Sequence, residues 1–283
     1  MSRGRGSEVG GPGKSVTAAF AAFLAVAAAL GQDAAPPERP RSPEGSHIIN
    51  LPSIEVPASG TLGVSFTHRF SGSLNEADFH NFFTFDSSTS TGIGVSYAPL
   101  ANLDVALDRS SSEDDYELSA KYRILSFAER RPFGIAVRIG GNGRTAEEVE
   151  GDRYAFFAQG IASVGIGSRI RLTAVPTFVT NTASFRNAFN VPVAVSVALT
   201  RTINLHGEFY PKNQDFTERS GRSARDGWIA SVEKTVLRHR FAFTVGNLRA
   251  TSVDQYTASD FGGVGLARDV SIGFNLVRQW KLK

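Results

Sequence analysis

The sequence has no cysteine, which excludes a disulfide framework, a thiolate metal site, a cysteine nucleophile and a lipoprotein anchor. Beyond its N-terminal region no apolar run reaches the ~18 residues of a membrane helix, so a helical membrane protein is excluded. An excess of one charge is missing too. Lys and Arg number 30 against 27 Asp and Glu, a net charge of +3 with the two signs interspersed. The pI near 9.3 is therefore weak support for nucleic acid, and no nucleic-acid partner is expected. There is no His-Glu-x-x-His, no Gly-x-Ser-x-Gly, no phosphate loop and no helix-opening Gly-x-Gly-x-x-Gly. No catalytic residue, cofactor or metal follows from the sequence, and we expect no enzyme.

What is present is long enough, at 283 residues, for one large or two small soluble domains. Hydrophobic residues make up 41% and charged residues only 20%, with a mean hydropathy of −0.12. These values suit a barrel whose apolar exterior is diluted by a polar lumen. Arg3, Arg5 and Lys14 precede the apolar, Ala-rich stretch 16–30, and Ala29-Leu30-Gly31 supplies the small residues of a cleavage site. Residues 1–31 therefore read as a cleaved signal peptide; an uncleaved anchor would need a longer apolar stretch. Residues 32–50, with Pro36, Pro37, Pro40 and Pro43, read as a disordered Pro-rich lead-in. Residues 51–283 remain for the folded domain.

That domain alternates. In 115–124, Tyr116, Leu118, Ala120, Tyr122 and Ile124 share one face and Glu117, Ser119, Lys121 and Arg123 the other. The pattern recurs over 61–70, 92–98, 103–108, 116–124, 133–139, 154–166, 169–179, 191–199, 203–210, 228–236, 240–247 and 270–280. This predicts about twelve strands, an even number. Long polar segments such as 140–153, 181–190, 211–227 and 248–269 alternate with tight turns. With 126–132 a mild exception, the arrangement predicts an all-β, up-and-down antiparallel transmembrane β-barrel with both termini periplasmic.

Alternation alone also fits a secreted lipocalin-like barrel or a β-sandwich. Three features favour the membrane: segment lengths near the ~9–11 residues that cross a bilayer, a polar face of small and charged residues, and aromatics near strand ends. The aromatics are Phe70, Tyr97, Tyr116, Tyr122, Phe133, Tyr154, Phe178, Tyr210, Trp228, Phe241 and Trp280, placed as interfacial girdles. The expected location is the bacterial outer membrane. Expected partners are its lipid and lipopolysaccharide, and the barrel-assembly machinery during insertion.

Several phrases resemble an uncharacterised family of bacterial membrane-bound β-barrels, a domain of unknown function. They are Thr67-His68-Arg69-Phe70, the run 83–88, the run 103–110, the run 116–125, His239-Arg240-Phe241 and the tail 274–278. The resemblance covers about residue 51 to the C-terminus. It implies an outer-membrane barrel and carries over no activity.

The inward face predicts a lumen lined by Arg69, Asp104, Asp108, Glu117, Lys121, Arg123, Arg138, Arg169, Arg171, His206, Glu208, Glu233 and Arg240. Such charges either form an ion-pair lattice or line a hydrated pore. We expect the hydrated, partly paired form, with Lys121, Arg123, Arg169 and Arg171 favouring anions. His206 with Glu208 suggests acid/base or metal chemistry, though a hydrogen-bonded pair explains it better. Asp114-Asp115 with His80 is the nearest analogue of an omptin-like site, and no Ser stands at phospholipase spacing from an outward His. Glu147, Glu148, Glu150 and Asp152 offer Ca²⁺ ligands, but such loops are mostly just solvated. The expected function is a porin-like channel for small polar solutes; the alternative is a closed structural or docking barrel whose loops bind a partner.

Overall fold

The computed structural model describes residues 44–74, 77, 79–80, 85–112, 114–128, 131–145, 154–182, 187–213, 225–259 and 270–282. The segment expected to be a signal peptide, the lead-in up to residue 43 and the acidic cluster Glu147, Glu148, Glu150 and Asp152 lie outside them.

Fourteen β segments follow in order: β1 (Thr61–Phe70), β2 (Thr89–Leu100), β3 (Leu103–Ser110), β4 (Asp115–Leu125), β5 (Phe133–Arg144), β6 (Tyr154–Ile166) and β7 (Ile170–Ala174). Then come β8 (Thr177–Thr180), β9 (Asn187–Asn190), β10 (Val193–Ala198), β11 (Ile203–Tyr210), β12 (Gly227–Val236), β13 (His239–Gly246) and β14 (Ser271–Lys281), with helix α1 (Val253–Ala258) before the last. Every pairing is antiparallel, and β5 with β6 and β1 with β14 complete one closed sheet.

The fourteen segments make twelve staves, as the alternation predicts. Pro176 separates β7 from β8, and Pro192 separates β9 from β10. Proline has no N–H to give the ladder and a fixed φ, so each stave breaks at its proline while keeping its course. Val175 N–H reaches across to Pro192 O (2.9 Å), and Gly160 N–H to Pro176 O (2.9 Å). The largest departures from the expected boundaries are in β5, which runs on to Arg144 through a glycine-rich end, and in β9, which takes back Asn187–Asn190 from the expected loop.

Thr61 pairs with Lys281, so the first and last staves both end at the mouth that carries the short turns. We call this the short-turn end and the other the long-loop end. Outside, Ile93, Leu107, Leu118, Ile139, Phe156, Val232 and Phe243 are each more than half exposed, which makes an apolar belt suited to lipid. Tyr210 departs from the expected girdle: it shares the inward parity of Asn204, His206 and Glu208 and is fully buried.

The lumen is occupied. Residues 44–60 enter from the short-turn end, turn near Asn50 and leave by the same mouth into β1. Disorder was expected up to residue 50, yet Ile48, Ile49, Leu51 and Ile54 are buried against Ala136, Ala155, Phe157 and Ile161 of the wall. Burying such a side chain is worth about 1.5–3 kcal/mol, enough to order a short segment despite its composition. A Cβ at Gly134 would overlap Ile54 Cδ1, so glycine there makes room for the hairpin. From the long-loop end α1 dips inward with all six residues buried. The two inserts meet where Asn50 Nδ2 donates to Ala250 O (3.4 Å).

Candidate functional site

Each insert is held by charged wall residues. Glu208 on β11 accepts the backbone N–H groups of Ile49 (2.7 Å), Asn50 (3.0 Å) and Leu51 (2.9 Å), plus the Tyr210 hydroxyl (2.6 Å). One carboxylate thus gathers three otherwise unpaired donors at the hairpin tip. Arg69 on β1 donates to Asn50 Oδ1 (3.0 Å) and Asn275 Oδ1 (2.7 Å). Nearer the short-turn mouth, Arg171 meets Glu55 (2.7 Å) and Glu44 (3.5 Å), and Arg123 meets Glu55 (3.6 Å). Lys121 donates to Ser46 O (2.7 Å) and stands 4.0 Å from Asp104.

At the other end Arg144 pairs with Asp254 of α1 (2.6 Å) and donates to Asn181 O (2.7 Å). Tyr256 accepts from Gln159 (3.0 Å) and packs on Tyr210 at 5.2 Å between ring centres. Burial pushes the Tyr256 phenol above its ordinary range, so it stays protonated. Between the inserts Arg138 binds Glu117, Ser119 (3.0 Å) and Gln159 (3.0 Å), and Glu117 also accepts Val253 N–H (3.1 Å).

The filling is lopsided. Wall residues of β5, β6, β8 and β10 to β12, with Val175, share an apolar core with the inserts. The opposite wall carries Gly63, Ser65, Thr67, Gly92, Gly94 and Ser96, whose small side chains leave space, beside Asn275 and Gln279. Two cavities of about 100 and 70 Å³ lie there. They share His47, Ile49, Ser65, Asp108, Asn275 and Val277, and so form one crevice from Ser110 near the long-loop end to Gln279 near the short-turn end. Each has room for several waters. His47 is enclosed by the wall but faces both cavities. Burial first, then the charges of Arg138 and Lys121, hold its imidazole well below its usual range and keep it neutral.

Of the thirteen residues expected in the lumen, twelve face it. Arg169 does not: it is exposed in the β6–β7 turn, one residue before the ladder resumes. The expected basic cluster is thereby reduced, and its remaining members are tied to Asp104, Glu44 and Glu55. His206 and Glu208 do not act as a pair. His206 bonds Ser196 (Nδ1 to Oγ, 2.9 Å) and approaches Glu233 (3.8 Å), while Glu208 serves the hairpin. Asp114 and Asp115 diverge, Asp114 to Arg109 outside and Asp115 inward to Asn142 (2.9 Å). Among the described residues no group of three or more His, Cys, Asp or Glu gathers to hold a metal ion.

The sequence reading missed Arg144, Asn142, Tyr210, Glu44, Glu55 and the helix pair Asp254 and Tyr256. For the first three the signal was strand parity, which carries past Gly140 and Gly141 in β5 and to the end of β11. The other four lie in inserts, where no alternation exists to be read.

The closed antiparallel sheet with its apolar belt meets a family match over most of its length. The chain belongs to the family described as a membrane bound beta barrel domain, DUF5777. The match spans residues 44–280, so it takes in the lumenal hairpin as well as every stave. No curated protein matches the sequence. Similar solved structures include an outer membrane channel from Pseudomonas putida F1, with 11% identity, 80% of this chain and 97% of that chain covered, and a TM-score of 0.47. The NanC porin shares 10% identity over 78% of this chain and 100% of its own, with a TM-score of 0.49. Outer membrane phospholipase A from Escherichia coli shares 11% over 89% and 96%, with a TM-score of 0.43.

Proposed function

We propose that this protein is an outer-membrane barrel that passes small polar solutes along the crevice beside its inserts. The observation that carries the reading is the crevice itself: two adjoining cavities walled in part by glycine, serine and threonine, running along the lumen while the inserts pack against an apolar cluster on the opposite wall. A purely structural barrel has no need to leave one wall short of side chains over such a length. The reading includes export by a cleaved signal peptide, periplasmic termini, insertion by the barrel-assembly machinery and no catalytic step.

Because the inserts fill most of the cross-section, the unit conductance is small. Single-channel recording of the refolded protein in a planar bilayer tests this. The full barrel gives small discrete steps, and a variant lacking residues 44–56 gives markedly larger ones. A folded barrel silent in both forms favours the second reading, a closed docking barrel, which the dry core around Ile48, Leu51 and Ile54 supports.

A further inference from the structure

By formal charge the acids that line the crevice, Asp108, Asp115, Glu117 and Glu233, outnumber its cations, Arg109, Arg138 and Arg240. Arg240 is held by Glu233 at 2.6 and 3.0 Å, and Arg138 by Glu117. Arg69 lines neither cavity. It is turned to Asn50 and Asn275, and Asn50 in turn gives its N–H to Glu208. Each of these cations is thus directed at an acid or through an amide to one, and Arg109, which also lines the larger cavity, pairs with Asp114.

Two acids lack such a partner. Asp108 on β3 lines both cavities; the charge of Arg138 acts on it, but among the described residues no hydrogen bond or ion pair holds its carboxylate. It lies over Gly94, where an added Cβ would overlap Asp108 Oδ1 and Ser65 Oγ, so the wall is shaped to admit this group. Asp115 lines the larger cavity and is 1% exposed. Its Oδ2 accepts from Asn142, while Oδ1 has no donor at bonding distance, although the Ser252 side chain stands beside it.

We propose that the crevice is a cation path, with Asp108 at its middle as the residue that sets selectivity. Fixed charge of one sign in a confined polar passage raises the local concentration of the opposite ion and excludes the like one. The inference rests on the pore reading above and reverses the anion preference that the basic residues of the sequence suggest. Its ligand class is a small monovalent cation, for which K⁺ is the probe.

The test is the reversal potential of the full-length protein in a planar bilayer across an about tenfold KCl gradient. The wild type reverses on the K⁺ side. Asp108→Asn lowers the K⁺/Cl⁻ permeability ratio severalfold, and Asp115→Asn lowers it less. Unheated and boiled gel mobility establishes that each variant has folded. If Asp108→Asn does not fold, the wild-type sign and Asp115→Asn decide. A conducting wild type that prefers Cl⁻, or a folded Asp108→Asn with an unchanged ratio, overturns the cation assignment and leaves the pore intact. A well-folded wild type with no conductance overturns both.

Discussion

Arg144 and Asp254 meet at 2.6 Å with both side chains fully buried, joining the last residue of β5 to the first turn of α1. Ser252 adds a hydroxyl to the other oxygen of Asp254 (2.8 Å). Removing one partner of a buried pair leaves an uncompensated charge and costs about 3–5 kcal/mol. Asp254→Asn should therefore release α1 while the staves stay paired. Hydrogen exchange should rise over residues 250–259 and remain unchanged in β1 and β14. Uniform loss of protection across the barrel would show that α1 is not a separable insert.

Glu208→Gln should loosen the hairpin from its tip. A neutral amide accepts less strongly than the carboxylate, and charge-assisted hydrogen bonds are worth about 1.5–3 kcal/mol each. Proteolytic cleavage within 44–56 should become faster in the folded barrel, with larger conductance steps. Tyr210→Phe removes only the hydroxyl donor, and its effect should be closer to 1 kcal/mol. Equal cleavage of wild type and Glu208→Gln would show that the apolar contacts alone seat the hairpin.

The hairpin should also respond to acid through His47. Seated, its imidazole is held well below the ordinary 6.5 by burial and by Arg138 and Lys121. Withdrawn, it titrates near ~6.5. The withdrawn state binds more protons in that window, so seating is favoured above about pH 6.5 and weakens as pH falls below it. The facing groups are Asp108 on β3, Glu117 and Lys121 on β4, Arg138 on β5, Glu233 on β12 and Arg240 on β13. Cleavage of the hairpin should accelerate on acidification, and His47→Gln should flatten that response. An identical pH profile in the variant would assign the effect to the carboxylates instead.

The lipid face can be tested at Val195, which is 39% exposed on β10. Val195→Arg should cost about 2–4 kcal/mol in a bilayer if the residue lies near the midplane. Its neighbour Ser196 points inward, is fully buried and bonds His206. An arginine there would overpack the lumen, so that change is not the mild control that alternation alone suggests. Ser196→Ala is the suitable contrast, at about 1 kcal/mol. A negligible effect of Val195→Arg in lipid would place that face away from the acyl chains.

Alternation made the staves legible because a buried face and a lipid face impose a period of two on every residue between them. Leu103 to Asp108 and Tyr116 to Ile124 could be assigned residue by residue. Pro176 and Pro192 did not disturb the count, since each stave resumes within two residues. The inserts were not legible. Residues 44–56 are held by Glu208, Arg171 and Lys121, more than 60 positions away in sequence, and their own composition speaks for disorder. The same distance hid the charge balance. Arg171 and Lys121 look like an excess of cations until Glu44, Glu55 and the Ser46 carbonyl are folded back beside them.

Both arms of the 44–60 hairpin pass through one mouth, and α1 enters through the other. Among the described residues no segment is threaded through the ring of staves. The described inserts are therefore topologically independent of the ring: each can dock in the bore or withdraw through its own mouth without crossing the wall. The ring is held by strand pairing, whereas the seating of the inserts is governed by a handful of carboxylates, chiefly Glu208 and Asp254.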